Sequence, residues 1–265
     1  MVTAKKKDSP GYWNSRAIQY GGSTGGYKAI CSYGMPFFYN KYIDLIQQKA
    51  MRKILRTLDI RGKSVLDVGC GVGRWCRILS GMGAEVTGAD LSEEMVKIAR
   101  ENSEGYGITY IASPVSSIDL PSRKFDLVTA VTVLQHITDG EEFNKSAANL
   151  TRLLKKGGKA LIMEVAPGGG APYMFSDILS VRTAGQYIAA FKAAGAALEG
   201  VYSVDVTPIK HRLLRLTKGW PRTLINTLIF FAVVVSLPID LLFSGTRLLQ
   251  RHSWHKVFLF SVPDD

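Results

Sequence analysis

The sequence predicts an α/β protein in which a parallel sheet is covered by helices on both faces. Short apolar runs alternate with amphipathic segments between residues 64 and 164, which is typical of strands buried between two layers of helix. A glycine-rich turn follows the first of these strands, and an acidic residue ends the second. These two features predict a ligand site over the glycine turn.

The pattern also predicts the order of the elements along the chain. The expected strands are 64–68, 85–89, 108–111, 125–130, 159–164, 202–206 and 256–262, and the expected helices are 39–58, 73–81, 92–102, 142–155 and 180–194. Ser92 followed by Glu93 and Glu94 is a helix start, since a capping hydroxyl precedes acids in the first turn.

Residues 64–74, SVLDVGCGVGR, are the segment on which the functional prediction depends. A β-branched and leucine run contains Asp67, and Gly69, Gly71 and Gly73 follow at every second position. Glycine permits positive φ and has no Cβ to block a ligand, and the helix after the turn presents free N–H groups. A glycine turn alone would also suit a dinucleotide.

The second strand narrows the choice of ligand. Residues 85–89 lead to Asp90, at the strand tip where an acid can accept hydrogen bonds from two ribose hydroxyls.

Four motifs together resemble class I S-adenosylmethionine-dependent methyltransferases over roughly residues 63–166. These motifs are DVGCGVG at 67–73, GADLS at 88–92, FDLV at 125–128 and LLKKGG at 153–158. The order acid-x-G-x-G-x-G differs from the G-x-G-x-x-G of dinucleotide sites. The resemblance implies a Rossmann-like, seven-stranded, mostly parallel sheet whose last two strands form an antiparallel pair, with S-adenosyl-L-methionine as the cofactor.

The resemblance also implies which residues bind the cofactor. Asp67 is placed to meet its amino group, Asp90 binds the ribose, and Leu91 lies beside the adenine. The family usually has an acid after strand three, near the adenine amino group, where this chain has ASPV at 112–115; Ser113 or a backbone group is expected to substitute. The full expected set is Asp67, Gly69, Cys70, Gly71, Gly73, Asp90, Leu91, Ser113, Val115 and Val131.

His136 is the candidate general base. It belongs to the segment after strand four that, in related enzymes, lines the floor where cofactor and acceptor meet. Imidazole near its free pKa can take a hydroxyl proton at neutral pH; the alternative is a structural histidine that holds the following loop. Some relatives with a quinol-type acceptor have two acids around this histidine and bind a metal. Because Gln135 occupies one of these positions, we expect no metal.

The N-terminal 58 residues are expected to form a lid and a helix. Aromatic residues are spread through a glycine-rich stretch here, and Tyr12, Tyr20 and Tyr27 are candidates to close over the site. Tyr20 is the expected catalytic partner of His136. The alternatives are a helix packed on the sheet edge and, for each tyrosine, core packing.

Residues 207–253 are expected to form an insertion between strands six and seven. The methyltransferase domain itself is expected to comprise 59–206 and 254–265. Lys210, Arg212, Arg215 and Lys218 alternate with apolar residues, and 223–239 contains no charged residue. Seventeen such residues are at the lower limit for a membrane span, and both flanking strands must pair in one sheet. We therefore expect an interfacial or re-entrant helix pair, bent near Pro238, in which residues 209–251 bind anionic lipids. A dimer interface or a hydrophobic cap is the alternative.

Composition restricts the partners. The net charge of +11 suits an anionic partner, either nucleic acid or a membrane surface. The N-P-P-Y signature of amino-methylating nucleic-acid enzymes is absent after strand four, so nucleic acid is disfavoured. Three scattered cysteines indicate a reduced cytosolic setting, and the charged start MVTAKKK is not a secretory signal.

The resulting hypothesis is a methyltransferase on the cytoplasmic face of a membrane. It would methylate an oxygen of a lipid or lipid-linked acceptor. The alternatives are a soluble small-molecule O- or N-methyltransferase whose insertion is a dimer interface, an RNA methyltransferase, and a scaffold that binds without turnover.

Overall fold

The computed structural model describes residues 9–20, 35–168, 175–207 and 219–264. Its helices are α1 Ser9–Tyr20, α2 Phe37–Leu58, α3 Arg74–Gly81, α4 Glu93–Asn102, α5 Gly140–Leu153, α6 Ala184–Ala193 and α7 Arg222–Phe243. Its strands are β1 Ser64–Val68, β2 Glu85–Asp90, β3 Thr109–Ala112, β4 Phe125–Val131, β5 Leu154–Val165, β6 Phe175–Ser176, β7 Leu179–Ser180, β8 Ala197–Ser203 and β9 His255–Ser261. Two 3₁₀ turns lie at Val115–Ser117 and Leu134–His136.

Seven strands form one sheet in the order β3-β2-β1-β4-β5-β9-β8. The first five are parallel, and β9 runs antiparallel between β5 and β8. This confirms the predicted sheet, including its antiparallel final pair. The strand order reverses between β1 and β4, and in such sheets ligands bind at the carboxyl ends of the strands at this point.

Side-chain alternation along the strands builds a core on each face. Val65 of β1 packs in the cluster that contains α2, α3 and part of α7, whereas Leu66 packs in the cluster that contains α5 and α6. The central strands β1 and β4 thus bury both of their faces, which is why they read as continuous apolar runs.

The predicted sixth strand is displaced. Residues 202–206 were expected to form it, but β8 spans Ala197–Ser203. An edge strand needs little apolar sequence, and its first residues are exposed. The buried run that suggested a strand leaves the sheet at Val204, and Asp205 accepts hydrogen bonds from the backbone amide and the ring of His255.

Two further boundaries differ because local hydrogen bonds compete with the apolar pattern. α5 ends at Leu153 and β5 begins at Leu154, which pairs with Phe125 before the register shifts. α6 begins at Ala184 because Thr183 forms a capping box with Gln186. The residues before it form the β6–β7 hairpin, which the sequence did not predict.

α7 continues through Pro238 as a single helix where a helix pair was expected, and a bend at this residue stays a prediction. Proline removes one backbone donor from a helix, but tertiary contacts hold the following turn. The Asp240 carboxylate accepts hydrogen bonds from Val206 N at 2.7 Å, Thr207 N at 2.9 Å and the Tyr42 hydroxyl. The predicted basic residues at 210–218 lie outside the described residues.

Within the described ranges, α7 is the one helix whose length and composition would allow it to cross a membrane. Only 28 % of its most apolar window is buried. Ile229 and Val233 pack in the core, while Phe231 and Leu242 are exposed.

Candidate active site

A cavity of about 400 Å³ opens at the carboxyl ends of β1, β2 and β4, where the strand order reverses. Of the residues predicted to bind a ligand, those that line it are Gly69, Cys70, Gly71, Asp90, Leu91, Val115, Val131 and His136. Asp67, Gly73, Ser113 and Tyr20 do not line it.

The glycine turn has a shape that other residues do not adopt easily. Gly69, Gly71 and Gly73 have φ of 61°, 53° and 78°. A Cβ on Gly69 would lie 2.3 Å from Cγ2 of Val133, and one on Gly73 would lie 2.5 Å from the Tyr110 hydroxyl oxygen. The bare backbone is therefore required both for the conformation and for the close approach of its neighbours.

Asp90 is fixed by the backbone around it. One carboxylate oxygen accepts a hydrogen bond from Gly71 N at 2.8 Å, and the other accepts one from Ser92 N at 2.9 Å. A carboxylate can accept about four hydrogen bonds, so capacity remains for hydroxyl donors in the cavity. Burial raises the pKa of Asp90, and the bonds from the backbone amides oppose this shift.

Asp67 was expected to face the amino group of the cofactor, but it does not line the cavity. It is buried behind the cavity wall and accepts hydrogen bonds from Thr129 Oγ1 at 2.8 Å and Cys76 Sγ at 3.2 Å. Burial raises its pKa to about 6. The carboxylate thus joins β1 to β4 and α3 beneath the turn, and its contact with a ligand stays a prediction.

Gly73 and Ser113 also lie outside the cavity lining, next to residues that form it. Gly73 caps the start of α3. Ser113 N donates to the Asp90 carbonyl at 2.8 Å, and its hydroxyl donates to the Pro114 carbonyl at 3.2 Å. Their direct roles in ligand binding stay predictions.

His136 lies in the cavity wall with a defined tautomer. Its Nδ1 is 2.7 Å from the Ile178 carbonyl, which can only accept a hydrogen bond, so Nδ1 carries the proton in the neutral ring. Nε2 is then an acceptor, and the amide nitrogen Nε2 of Gln135 lies 3.4 Å from it. Burial, with a smaller contribution from Arg16, lowers the pKa of His136 to about 4. At neutral pH the imidazole is uncharged and can accept a proton at Nε2.

The turn that carries His136 is held by a buried acid. One Glu164 oxygen accepts hydrogen bonds from Val133 N at 2.9 Å and Leu134 N at 2.7 Å, and the other accepts one from Gln135 N at 3.2 Å. Burial raises the pKa of Glu164 to about 7. The sequence signal for this role was an acid within the apolar run 160–165 that ends β5.

Arg182 holds the same turn from its other side. Its guanidinium donates to the Leu134 carbonyl at 3.0 Å and the Ile137 carbonyl at 2.6 Å. Thr132, two residues before this turn, has φ of 56°. This region is rare for a β-branched residue and marks local strain. Neither feature was apparent from the sequence.

The N-terminal segment reaches the cavity through Trp13 and Pro10 of α1. The ring centroids of Trp13 and His136 are 4.9 Å apart in an edge-to-face arrangement. Tyr20 packs instead with the cluster that contains Val72 and Met95, so its expected role beside His136 stays a prediction. Tyr27 lies outside the described residues.

In the described part of the chain, no group of three or more His, Cys, Asp or Glu residues is arranged to hold a metal ion. The expected independence from metal stays a prediction.

Comparison with known proteins places residues 66–162 in a family described as a methyltransferase domain. A ubiquinone biosynthesis O-methyltransferase of Coxiella burnetii is 33 % identical over 121 residues, 45 % of this chain and 50 % of the relative. The protein of the same name from Proteus mirabilis is 40 % identical over 101 residues, 37 % of this chain and 40 % of the relative. The chain therefore matches half or less of the length of these curated relatives.

Solved structures extend the likeness in fold to the whole chain. Magnesium protoporphyrin IX methyltransferase from Synechocystis PCC 6803, with bound SAM, has a TM-score of 0.62 at 17 % identity, covering 99 % of this chain and 100 % of that one. An S-adenosylmethionine dependent methyltransferase from Mesorhizobium loti has a TM-score of 0.55 at 20 % identity, covering 82 % and 99 %. At such identities the likeness establishes the fold alone.

Proposed function

We propose that the chain is a class I S-adenosylmethionine-dependent methyltransferase, an enzyme that methylates an acceptor, because residues 66–162 match a methyltransferase domain. The observation that carries the proposal is the glycine turn facing Asp90 across one wall of the cavity. When bound, S-adenosyl-L-methionine supplies an activated methyl carbon.

The described residues fit this cofactor. Gly69 and Gly71 leave bare backbone for close approach, Asp90 retains acceptor capacity for ribose hydroxyls, and Leu91 and Met95 offer apolar surface for a purine ring. Trp13 and Pro10 cover part of the cavity, which helps to exclude water from the transfer. Opening and closing of the N-terminal segment as a lid is part of the proposal.

Oxygen is the proposed acceptor atom. A neutral His136 with Nε2 as acceptor can take the proton that a hydroxyl loses on methylation. The names of the sequence relatives, O-methyltransferases of ubiquinone biosynthesis, agree with this choice. If His136 is instead a structural histidine, replacing it should change the stability of the protein but not kcat for methyl transfer.

A lipid or lipid-linked acceptor is proposed because of α7. Its outward face exposes the large apolar residues Leu224, Phe230, Phe231, Val234, Val235, Ile239 and Leu242. Arg222, Arg247 and Arg251 lie exposed at or beyond its two ends, where they suit an anionic lipid surface. Asp240 ties the opposite side of the helix to the domain. A helix held in this way lies along the surface of a membrane, on the cytoplasmic side in our proposal.

Two measurements test the enzyme proposal. Titration calorimetry with S-adenosylhomocysteine should show binding to the wild type and a loss of at least about tenfold for Asp90→Ala, which removes the ribose acceptor. Transfer of labelled methyl from S-adenosyl-L-methionine is then compared among lipid extract, soluble metabolites and RNA.

We expect the labelled methyl group to appear in the lipid fraction. His136→Gln should lower kcat by about 10²-fold while leaving S-adenosylhomocysteine affinity unchanged. Label in RNA or in water-soluble product would contradict the lipid acceptor, and wild type that binds no S-adenosylhomocysteine would contradict the methyltransferase itself.

A further inference from the structure

The resemblance implies an acid near the adenine after β3, and this chain has no acid from that segment in the cavity lining. This chain reads ASPV at 112–115, and Ser113 does not line the cavity. An exocyclic amino group of a purine is a hydrogen-bond donor, and leaving such a group unpaired on burial is costly. A carboxylate brought to this edge by another element would supply an acceptor for this group.

Glu142 supplies a carboxylate at this edge from the first turn of α5. It is half-buried, lines the cavity, and accepts a hydrogen bond at Oε1 from the Ser116 hydroxyl. Ser116 lies in the 3₁₀ turn directly after β3 and also lines the cavity. The two side chains thus bring an acid from α5 to the position where β3 has none.

The backbone beneath this pair is held in place. Asn149 of α5 donates from Nδ2 to the Val115 carbonyl at 2.8 Å, and Arg152 donates to the Ile118 carbonyl at 3.1 Å. These bonds fix α5 against the 3₁₀ turn. A carboxylate positioned by rigid elements loses little freedom when a ligand binds.

Three other carboxylates line the cavity, and each has a different place. Asp90 accepts from Gly71 N of the glycine turn at 2.8 Å. Asp139 caps α5 and accepts hydrogen bonds from the amides of Glu141 and Glu142 at 3.0 Å. Asp177 is in the β6–β7 turn, next to the Ile178 carbonyl that binds His136, and so faces the acceptor side. Glu142 is the acid beside the turn that follows β3.

We propose that Glu142 recognises the adenine of the cofactor, with Ser116 holding Oε1 and Oε2 accepting a hydrogen bond from the exocyclic amino group. The inference rests on the proposed function. It makes Glu142 a determinant of base specificity, because hypoxanthine presents a carbonyl oxygen at the same place and two acceptors cannot pair.

The test compares binding of S-adenosylhomocysteine and S-inosylhomocysteine by calorimetry. We expect wild type to prefer the adenosyl ligand by at least about tenfold. Glu142→Gln can donate or accept, so its preference should fall to within about twofold, mainly through weaker adenosyl binding. Glu141→Gln is the matched control: Glu141 is a neighbouring, exposed acid that pairs with Lys145, and this variant should keep the wild-type ratio.

Thermal melts of both variants show whether each is folded. If Glu142→Gln is folded and keeps the wild-type ratio of the two affinities, the assignment of Glu142 is overturned while the proposed function stands. If wild type binds neither ligand, the proposed function fails and the inference fails with it.

Discussion

At the scale of single residues, the cavity depends on positions that admit one residue type. Gly69 combines φ of 61° with a Cβ position 2.3 Å from Val133 Cγ2. Gly69→Ala should therefore lower the free energy of unfolding by about 2–4 kcal/mol, from backbone strain plus crowding, and weaken S-adenosylhomocysteine binding. Urea unfolding and calorimetry measure the two effects.

Gly105 provides the matched control for this substitution. Its φ is 82°, and nothing lies within 4 Å of the Cβ it would gain. Gly105→Ala should cost only the backbone term of about 1–2 kcal/mol and leave binding intact. Equal losses in the two variants would refute the argument from crowding.

His136 gives a prediction for the dependence of stability on pH. Its folded pKa of about 4 lies below the ordinary value of 6.5, so the unfolded chain binds more protons between pH 6.5 and 4. The free energy of unfolding should fall as the pH is lowered through this window, by up to about 3 kcal/mol.

The comparison with His136→Gln isolates this contribution, because the variant lacks the titrating ring. Urea unfolding at pH 7 and pH 5 should show a larger acid-induced loss in the wild type. Asp67 and Glu164, whose pKa values are raised, change stability in the opposite direction but are present in both proteins. Equal losses would mean that the ring is protonated as readily in the folded state as in the unfolded chain.

At the scale of elements, α7 is held in place by one buried acid. Asp240 accepts hydrogen bonds from Val206 N, from the Thr207 amide and hydroxyl, and from the Tyr42 hydroxyl. Asp240→Ala leaves these donors buried without an acceptor, and we expect a loss of about 3 kcal/mol or more in chemical unfolding. Leu242→Ala, at a side chain 69 % exposed on the same helix, should change stability by less than about 0.5 kcal/mol.

This pair of variants also tests how α7 is attached. If Asp240→Ala were as stable as Leu242→Ala, the helix would be held by its apolar contacts alone. The continuity of the helix through Pro238 would then need another explanation.

At the scale of the whole molecule, the exposed face of α7 predicts binding to lipid vesicles. A triple variant, Phe231→Ser, Val235→Ser and Leu242→Ser, removes three outward side chains that are each at least 55 % exposed. The wild type should co-sediment with vesicles, more strongly on anionic than on neutral lipid, and the triple variant should remain in the supernatant.

A matched triple variant carries Ile18→Ser, Tyr106→Ser and Leu198→Ser, which are exposed apolar residues outside α7. It should sediment as the wild type does. If the wild type stays soluble and runs as a dimer that only the α7 variant dissociates, the helix is an interface between subunits and the lipid proposal fails.

Much of the fold was predictable because it depends on local patterns. Buried parallel strands read as apolar runs, positive φ requires glycine at residue 69, and Ser92 caps α4 as expected, accepting from Met95 N. The displaced edge strand β8 and the unpredicted β6–β7 hairpin lie where these patterns are weak. The conformation of β8 depends on its pairing with one neighbouring strand, β9, and that of the hairpin depends on two residue pairs.

The sequence by itself determined the class of fold, the glycine turn and the position of Asp90, because φ preference and hydrophobic period are properties of neighbouring residues. Only the tertiary structure decided that Glu142 accepts a hydrogen bond from Ser116 and that Glu164 holds the turn of His136. It also decided that Asp240 binds the backbone of Val206 and so holds the turn of α7 after Pro238. Each of these contacts joins residues 26 or more positions apart. Such pairs meet only through the packing of whole elements, which no local pattern in the chain specifies.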